Sequence, residues 1–167
     1  SLRRQRQMCI RDRGKAILGL GLGYADHEFK ALGIPRESRV KRFEESLELI
    51  KALWSGEEVN FKSENFVVKN VTPSVLPLQR PRPPIWIGGQ GEQAIRRAAR
   101  LSDAWYAPPF PTHEGLARLR AVFLEEREKA GLALDDPFPL RREMVIASSK
   151  SQARKLATDW SAARYKT

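Results

Sequence analysis

A cluster of glycines in the middle of the chain is the stretch best suited to bind a ligand. It follows the apolar run Ile85–Ile87 and consists of Gly88, Gly89, Gln90 and Gly91. Glycines let a ligand approach the backbone closely, and free N–H groups at the start of a following helix favour an anion. The pattern predicts a phosphate-binding turn. It is equally typical of a strand-to-helix turn whose glycines only relieve crowding, so both interpretations stay open.

The same glycines match the dinucleotide-binding fingerprint only in part. Gly89-x-Gly91-x-x-Ala94 has the right spacing, but the fingerprint also needs an acidic residue about 20 positions further on. The corresponding stretch, residues 107–111, reads Ala-Pro-Pro-Phe-Pro and contains no acid. The spacing therefore does not favour a Rossmann site.

Two histidines are the remaining candidates for acid–base chemistry. His27 is predicted in a polar loop after the first strand, where parallel α/β folds gather their active sites. An isolated surface histidine is the more common case, and His113 is predicted in the first turn of a helix with a structural role. No spacing of Cys, His and acidic residues indicates a metal site, and no Gly-x-Ser-x-Gly elbow is present. These residues predict an anion site but no reaction.

Composition indicates a soluble globular protein. The chain has 167 residues, 41% hydrophobic and 30% charged, which is enough for one domain with a core. No apolar run approaches the roughly 20 residues that cross a bilayer, and no signal peptide is recognisable. A single cysteine, Cys9, cannot form an internal disulfide, so we expect a cytoplasmic protein.

The net charge of +10 suggests nucleic acid at first sight, but its distribution argues against it. Residues 1–13 carry a dense group of arginines, whereas later basic residues alternate with acids, as in 41–45. Such alternation is typical of solvated helix faces. Residues 6–13 resemble translated sequencing-adapter read-through, so we interpret 1–13 as a non-native leader and 14–167 as the folded domain.

The elements that position these residues alternate between strands and helices. Strands are predicted at 15–23, 85–87, 103–107 and 144–147, and helices at 38–54, 92–102 and 112–131, with a last helix starting at Ser149 or Ser151. A β-hairpin at 57–71 and a stiff proline-rich connector at 73–84 interrupt this order. Repeated βα units predict a parallel sheet, either open and doubly wound or part of an eight-stranded barrel.

Several stretches resemble one known family. They are Leu18–Tyr24, Arg42–Leu49, Ala98–Trp105 and Pro77–Gly89, the last of which contains Gln-x-Pro-x-Pro-Pro-Ile-x-Ile-Gly-Gly. From about Lys15 to Ala147 the chain resembles the bacterial-luciferase-like flavin-dependent oxidoreductases. One departure is Ala104, where the family usually has glycine in Ala-Asp-Gly-Trp.

The resemblance implies an α/β fold, a (β/α)8 TIM barrel of which about strands four to seven and a small hairpin insertion are present here. It implies that the cofactor is FMN or the deazaflavin F420. The glycine turn would hold the cofactor phosphate, and a second group would lie near the flavin ring or its ribityl chain: Leu22, Gly23, Tyr24 and His27. His27 is a candidate proton relay, and the other catalytic residues are expected in earlier strands.

The implied reaction is monooxygenation with reduced FMN and O2, or hydride transfer with F420, on a small organic substrate. A flavin reductase would be a partner if FMN is used, and association into homo-oligomers is left open. A partial barrel is expected to be inactive alone and prone to aggregate, because its sheet edges are open. A stand-alone phosphate-ligand-binding α/β domain without catalysis is the alternative, and a basic nucleic-acid binder is a weaker one.

Overall fold

The computed structural model describes residues 14–164, and side chains through residue 160. The predicted leader, residues 1–13, lies outside the described residues, as does Cys9. Between residues 14 and 164, no helix is both long enough and apolar enough to span a bilayer.

Up to residue 129 the strands and helices follow the predicted order, apart from one additional short helix after the first strand. The strands are β1 (Leu18–Leu20), β2 (Val59–Lys62), β3 (Val67–Val71), β4 (Ile85–Gly88) and β5 (Ala104–Tyr106). The helices are α1 (Asp26–Ala31), α2 (Arg39–Ser55), α3 (Glu92–Leu101), α4 (His113–Lys129) and α5 (Lys150–Arg164), with a 3-10 turn at Arg36–Ser38. The hairpin is confirmed as the antiparallel pair β2–β3. The first strand is shorter than predicted.

A three-stranded parallel sheet forms the centre of the fold, with β4 between β1 and β5. Ile87 lies opposite Leu20 on one side and Trp105 on the other. Because side chains alternate along a strand, this register places five large apolar residues on one face: Leu18, Leu20, Ile85, Ile87 and Trp105. The opposite face carries Gly19, Trp86, Gly88, Ala104 and Tyr106.

Helices α2, α3 and α4 cover the apolar face of the sheet. Ile85, Ile95, Trp105 and Phe123 are each 0% exposed, and Leu47 of α2 belongs to the same buried cluster. Leu47, Ile95 and Phe123 lie on the helical stripes that three- and four-residue spacing predicts, and Ile85 and Trp105 come from the sheet. The three helices therefore pack on a single side of the sheet.

The other face of the sheet is open in the described part of the chain. Trp86 and Tyr106 stack on it with ring centroids 6.2 Å apart, and Tyr106 is 41% exposed. A Cβ added at Gly19 or Gly21 would meet no atom within 4 Å. Doubly wound sheets carry helices on both faces, whereas barrels carry them only outside. The arrangement is therefore that of part of a (β/α)8 barrel.

Local sequence signals determine two of the helix ends. Gly56 ends α2 with φ 85°, a conformation that favours glycine. The Thr112 hydroxyl caps α4 by accepting from the Gly115 N–H at 3.1 Å. Ser38 immediately precedes α2 but does not cap it, because its hydroxyl instead donates to the Pro35 carbonyl at 2.8 Å.

The arginines of α3 form ion pairs with glutamates of neighbouring helices, and the side chains of Arg96 and Arg97 are only 25% and 14% exposed. Arg96 pairs with Glu126 at 3.0 Å, and Arg97 pairs with Glu44 at 3.0 Å. These pairs join α3 to α4 and to α2. The positive charge of α3 is therefore largely compensated inside the fold rather than forming a basic surface.

The strand predicted at Met144–Ala147 is wrong. Beyond β5 the parallel pairing consists of one bridge between Ala107 and Leu140, in which the Ala107 N–H donates to Pro139 O at 3.0 Å. Prolines follow Ala107 and directly precede Leu140, and proline has no N–H to donate to a ladder. Met144 and Ile146 remain 80% and 81% exposed.

Candidate functional site

The candidate site lies at the edge where the three parallel strands end. Gly88 is paired with Tyr106, and a Cβ at Gly88 would lie 3.7 Å from the Leu20 carbonyl oxygen. Since all three strands run in the same direction, the loops that follow them leave from this one edge. Active sites of barrels form at this end of the strands.

The glycine turn leads directly from β4 into α3. Gly88 is the last residue of β4, and Gly91 is the N-cap of α3 with φ −88° and ψ 153°. The first backbone hydrogen bond of the helix runs from the Ile95 N–H to the Gly91 carbonyl at 3.0 Å. The N–H groups of residues 92–94 precede it and remain available to a ligand. Gln90 and Gly91 are exposed.

Gly89 and Gly91 have different steric surroundings. A Cβ at Gly89 would lie 2.8 Å from the Ala94 Cβ, which is closer than real side chains pack, so this glycine lets the turn fold against α3. A Cβ at Gly91 would meet nothing within 4 Å. The steric interpretation therefore explains Gly89, whereas the space beside Gly91 is open to a ligand.

A buried tryptophan supports the turn from below. The Trp105 indole N–H donates to the Gly89 carbonyl at 3.0 Å. The Trp105 side chain packs between Phe123 and Phe138, with ring centroids 6.5 and 5.6 Å away. Sequence reasoning assigned Trp105 only to a strand, because no local pattern reveals a contact across 16 positions.

The charge of the first helical turn is balanced. Glu92 lies in the first turn of α3 and pairs with Arg96 at 2.8 Å. Hydrogen bonds to the Glu92 and Glu126 carboxylates raise the pKa of the Arg96 guanidinium. Because Glu92 is paired, it opposes an anion at the turn less than a free carboxylate would.

The loop after β1 reaches the same edge of the sheet. Gly23 has φ 75°, and a Cβ there would lie 3.3 Å from the Phe29 ring. Leu22 is half-buried and Tyr24 is 86% exposed. Their approach to a cofactor stays a prediction.

His27 does not lie in a loop, as predicted, but in the short helix α1, where it is exposed. The helix begins with Asp26 and Glu28 in its first turn and has Lys30 in its last, and these charges complement the helix dipole. The polar composition of the segment hid this helix, because it has no apolar stripe. A role for His27 as a proton relay stays a prediction.

One ion pair holds the beginnings of β4 and β5 together. The Asp103 carboxylate accepts from both terminal nitrogens of Arg82, at 2.5 and 2.9 Å, and from the Ile85 N–H at 2.7 Å. Burial alone would raise the pKa of Asp103, but the Arg82 and Ile85 hydrogen bonds lower it below its usual range. The carboxylate thus fixes the position from which β4 runs to the glycine turn.

The described residues also bear on metal binding and on a groove elsewhere in the fold. Within residues 14–160, no group of three or more His, Cys, Asp or Glu could hold a metal ion. A groove of about 310 Å³ lies between residues 143–145 and α5, lined by Glu143, Val145, Ala157, Thr158 and Trp160. None of the predicted site residues lines that groove.

Comparisons with known proteins agree with this architecture. A family model described as luciferase-like monooxygenase matches residues 12–166. The phthiodiolone/phenolphthiodiolone dimycocerosates ketoreductase of Mycobacterium kansasii is 37% identical over 95 residues, which are 56% of this chain and 26% of that protein. The FMNH(2)-dependent dimethylsulfone monooxygenase of Pseudomonas putida is 31% identical over 106 residues, 62% of this chain and 29% of that protein.

Solved structures share the fold at low sequence identity. The monooxygenase RslO1 of Streptomyces bottropensis has a TM-score of 0.72 at 21% identity, over 86% of this chain and 44% of that one. An F420-dependent secondary alcohol dehydrogenase has a TM-score of 0.78 at 18% identity, over 95% and 48%. The chain thus spans about half of these structures and about a quarter of the curated relatives. Because the family model covers nearly the whole chain, this protein belongs to the luciferase-like monooxygenase family.

Proposed function

We propose that this chain contributes to a flavin- or F420-dependent oxidoreductase or monooxygenase and that its glycine turn binds the cofactor phosphate. The observation that carries the proposal is the exposed turn at Gln90 and Gly91, which opens α3 at the carboxyl edge of the parallel sheet. An FMNH(2)-dependent monooxygenase and an F420-dependent dehydrogenase among the similar proteins support this choice of cofactors.

The donors at the turn fit a phosphate group. Backbone N–H groups of Gln90, Gly91 and the first turn of α3 would donate to phosphate oxygens, and the helix dipole would add to the attraction. FMN or F420 supplies the redox chemistry when bound. The part of this chain would be to hold the phosphate, orient the ring and exclude water. Leu22, Gly23 and Tyr24 would lie along the ring or the ribityl chain.

Further βα units would complete the barrel around this sheet. The open face with Gly19, Trp86 and Tyr106 supports this, because parallel sheets are buried on both faces. Residues 1–13 would be a leader foreign to that domain. The complete protein would act in the cytoplasm on a small organic substrate, with a flavin reductase as partner if it uses FMN.

The test compares cofactors with and without phosphate. The complete protein is titrated with FMN and riboflavin, and with F420 and its phosphate-free deazaflavin nucleoside. We expect tighter binding of the phosphate-bearing member of one pair. Gly91→Val places a side chain where the phosphate would lie, and its Cβ would touch nothing in the fold. We therefore expect this variant to bind that cofactor at least about tenfold more weakly and to bind the phosphate-free counterpart with unchanged affinity.

Thr112→Val is the matched control. It removes the cap of α4 rather than disturbing α3, so it lowers stability by about 1 kcal/mol without changing the preference for phosphate. Equal affinity of the wild-type protein for both members of each pair would contradict phosphate binding at the glycine turn.

His27→Asn in the same protein tests the proton relay, since unchanged turnover would remove His27 from the mechanism. Binding without any turnover would instead favour the non-catalytic phosphate-binding domain.

A further inference from the structure

We propose that Trp105 is a positioning residue for phosphate binding, and this inference rests on the function proposed above. Its indole N–H would hold the peptide unit between Gly89 and Gln90 in the one orientation that turns the Gln90 N–H toward the ligand. Trp105 would not touch the cofactor. It would act through the backbone of the glycine turn.

The geometry of the peptide bond links the two groups. In a trans peptide the carbonyl and the N–H lie in one plane and point in opposite directions. The Gly89 carbonyl accepts from the Trp105 Nε1 at 3.0 Å, so it points toward the buried ring. The Gln90 N–H belongs to the same peptide unit and consequently points away from the core, on the exposed side of the turn.

A glycine turn needs such a restraint. Gly89 has no side chain to resist rotation of the adjacent peptide, so the unit would flip at low cost without a fixed partner. A flipped unit would present the Gly89 carbonyl to the phosphate, and the partly negative carbonyl oxygen would then face an anion that needs a donor. The contact of Gly89 with Ala94 limits where the backbone lies, but it does not determine which way the peptide faces.

The tryptophan ring is itself held in place. Trp105 is 0% exposed, so its N–H has no access to water and would be unsatisfied if the Gly89 carbonyl turned away. Phe123 and Phe138 pack against the ring. The Arg120 guanidinium lies 5.0 and 4.9 Å from the centroids of these two phenylalanines, and it forms a bidentate pair with Asp136. The donor is therefore rigid.

The experiment removes the N–H and keeps the ring. In the complete protein, Trp105→Phe is compared with Trp54→Phe, which makes the same change at a core-packed residue of α2 outside the turn. A second variant carries the benzothiophene analogue of tryptophan at position 105, in which sulfur replaces the N–H with little change in shape. This second variant tests the same loss of the N–H if Trp105→Phe fails to fold. FMN and riboflavin, or F420 and its phosphate-free nucleoside, are the probes.

We expect both Trp105 variants to bind the phosphate-bearing cofactor about tenfold more weakly, with unchanged affinity for the phosphate-free one. Trp54→Phe should leave the ratio of the two affinities at its wild-type value. A Trp105 variant that retains the wild-type ratio would overturn the positioning role while the proposed function stands. A variant that weakens both members of the pair equally would also overturn it, because that is the effect of a structural defect. Failure of the proposed function is separate, since it would show in the wild-type protein.

Discussion

Replacing Asp103 with asparagine tests how the beginnings of β4 and β5 are joined. The carboxylate accepts three hydrogen bonds, two from Arg82 and one from the Ile85 N–H. An amide keeps one oxygen acceptor, but it loses the charge and offers Arg82 a donor in place of an acceptor. Asp103→Asn therefore removes the ion pair and at least one of the three hydrogen bonds at the start of β4, with little change in volume.

The size of the effect follows from exposure. The Arg82 and Asp103 side chains are 23% and 39% exposed, so water replaces much of what is lost. Hydrogen bonds to charged groups contribute about 1.5–3 kcal/mol each when buried, and exposed pairs contribute about 0–1 kcal/mol. Between these limits, we expect Asp103→Asn to lower the free energy of unfolding by about 2 kcal/mol at neutral pH.

The pH dependence gives a second, independent signature. The pKa of Asp103 is lower in the folded protein than its usual value. Its contribution is thus fully present above the unfolded pKa of about 3.9, and it is lost as the pH falls through the folded pKa. The difference between the wild-type protein and Asp103→Asn should shrink below about pH 4.

Urea unfolding of the complete protein at pH 7 and pH 3 measures both effects. Asp26→Asn is the control, because it makes the same chemical change in an ion pair whose side chains are 43% and 65% exposed, where we expect less than about 1 kcal/mol. The reasoning would be refuted if Asp103→Asn lowered the free energy of unfolding as little as Asp26→Asn does. It would also be refuted if the loss caused by Asp103→Asn were as large at pH 3 as at pH 7.

Three further substitutions test other parts of the fold. Gly89→Ala should lower the melting temperature by several degrees, because the new methyl overlaps Ala94 and overpacking costs about 1–3 kcal/mol. Differential scanning calorimetry measures this shift, and an unchanged melting temperature would contradict the packing. Arg127→Met should lower the free energy of unfolding in urea by about 2–4 kcal/mol, because this buried side chain donates to the Ser102 and Ala133 carbonyls. An effect within error of zero would show that those carbonyls need no donor. Glu45→Gln should remove the acid sensitivity of the hairpin. Hydrogen bonds from Asn65 and Ser63 lower the pKa of Glu45, and the stabilisation they give is lost as the pH falls through the folded pKa. Hydrogen exchange of β2 and β3 at pH 7 and pH 3 measures this sensitivity, and identical exchange in the wild-type and variant proteins would contradict the prediction.

Local sequence patterns were sufficient wherever neighbouring residues determine the structure. The apolar stripe of α2, the glycine that ends it and the Thr112 cap are all contained within a few positions of the chain. The hairpin and the strand–turn–helix around Gly88 were predicted on the same basis. In each case the interactions that stabilise the element lie within the segment that shows the pattern.

Features that depend on distant partners could not be predicted. The apolar run Met144–Ala147 is typical of a strand, but the prolines after Ala107 stop the ladder it would join. The choice between a barrel and a doubly wound sheet depends on which face the helices cover, and the order of elements does not determine this. The bond from Trp105 to Gly89 joins two segments through the packed core, and neither segment alone indicates it.

A crystal structure of the complete protein with FMN or F420 would test the central claim most directly. We predict phosphate oxygens within about 2.7–3.2 Å of the backbone nitrogens of Gln90 and Gly91, with the Gly89 carbonyl still directed at Trp105. A cofactor whose phosphate is bound elsewhere, with no contact to residues 88–94, would contradict the assignment of the glycine turn.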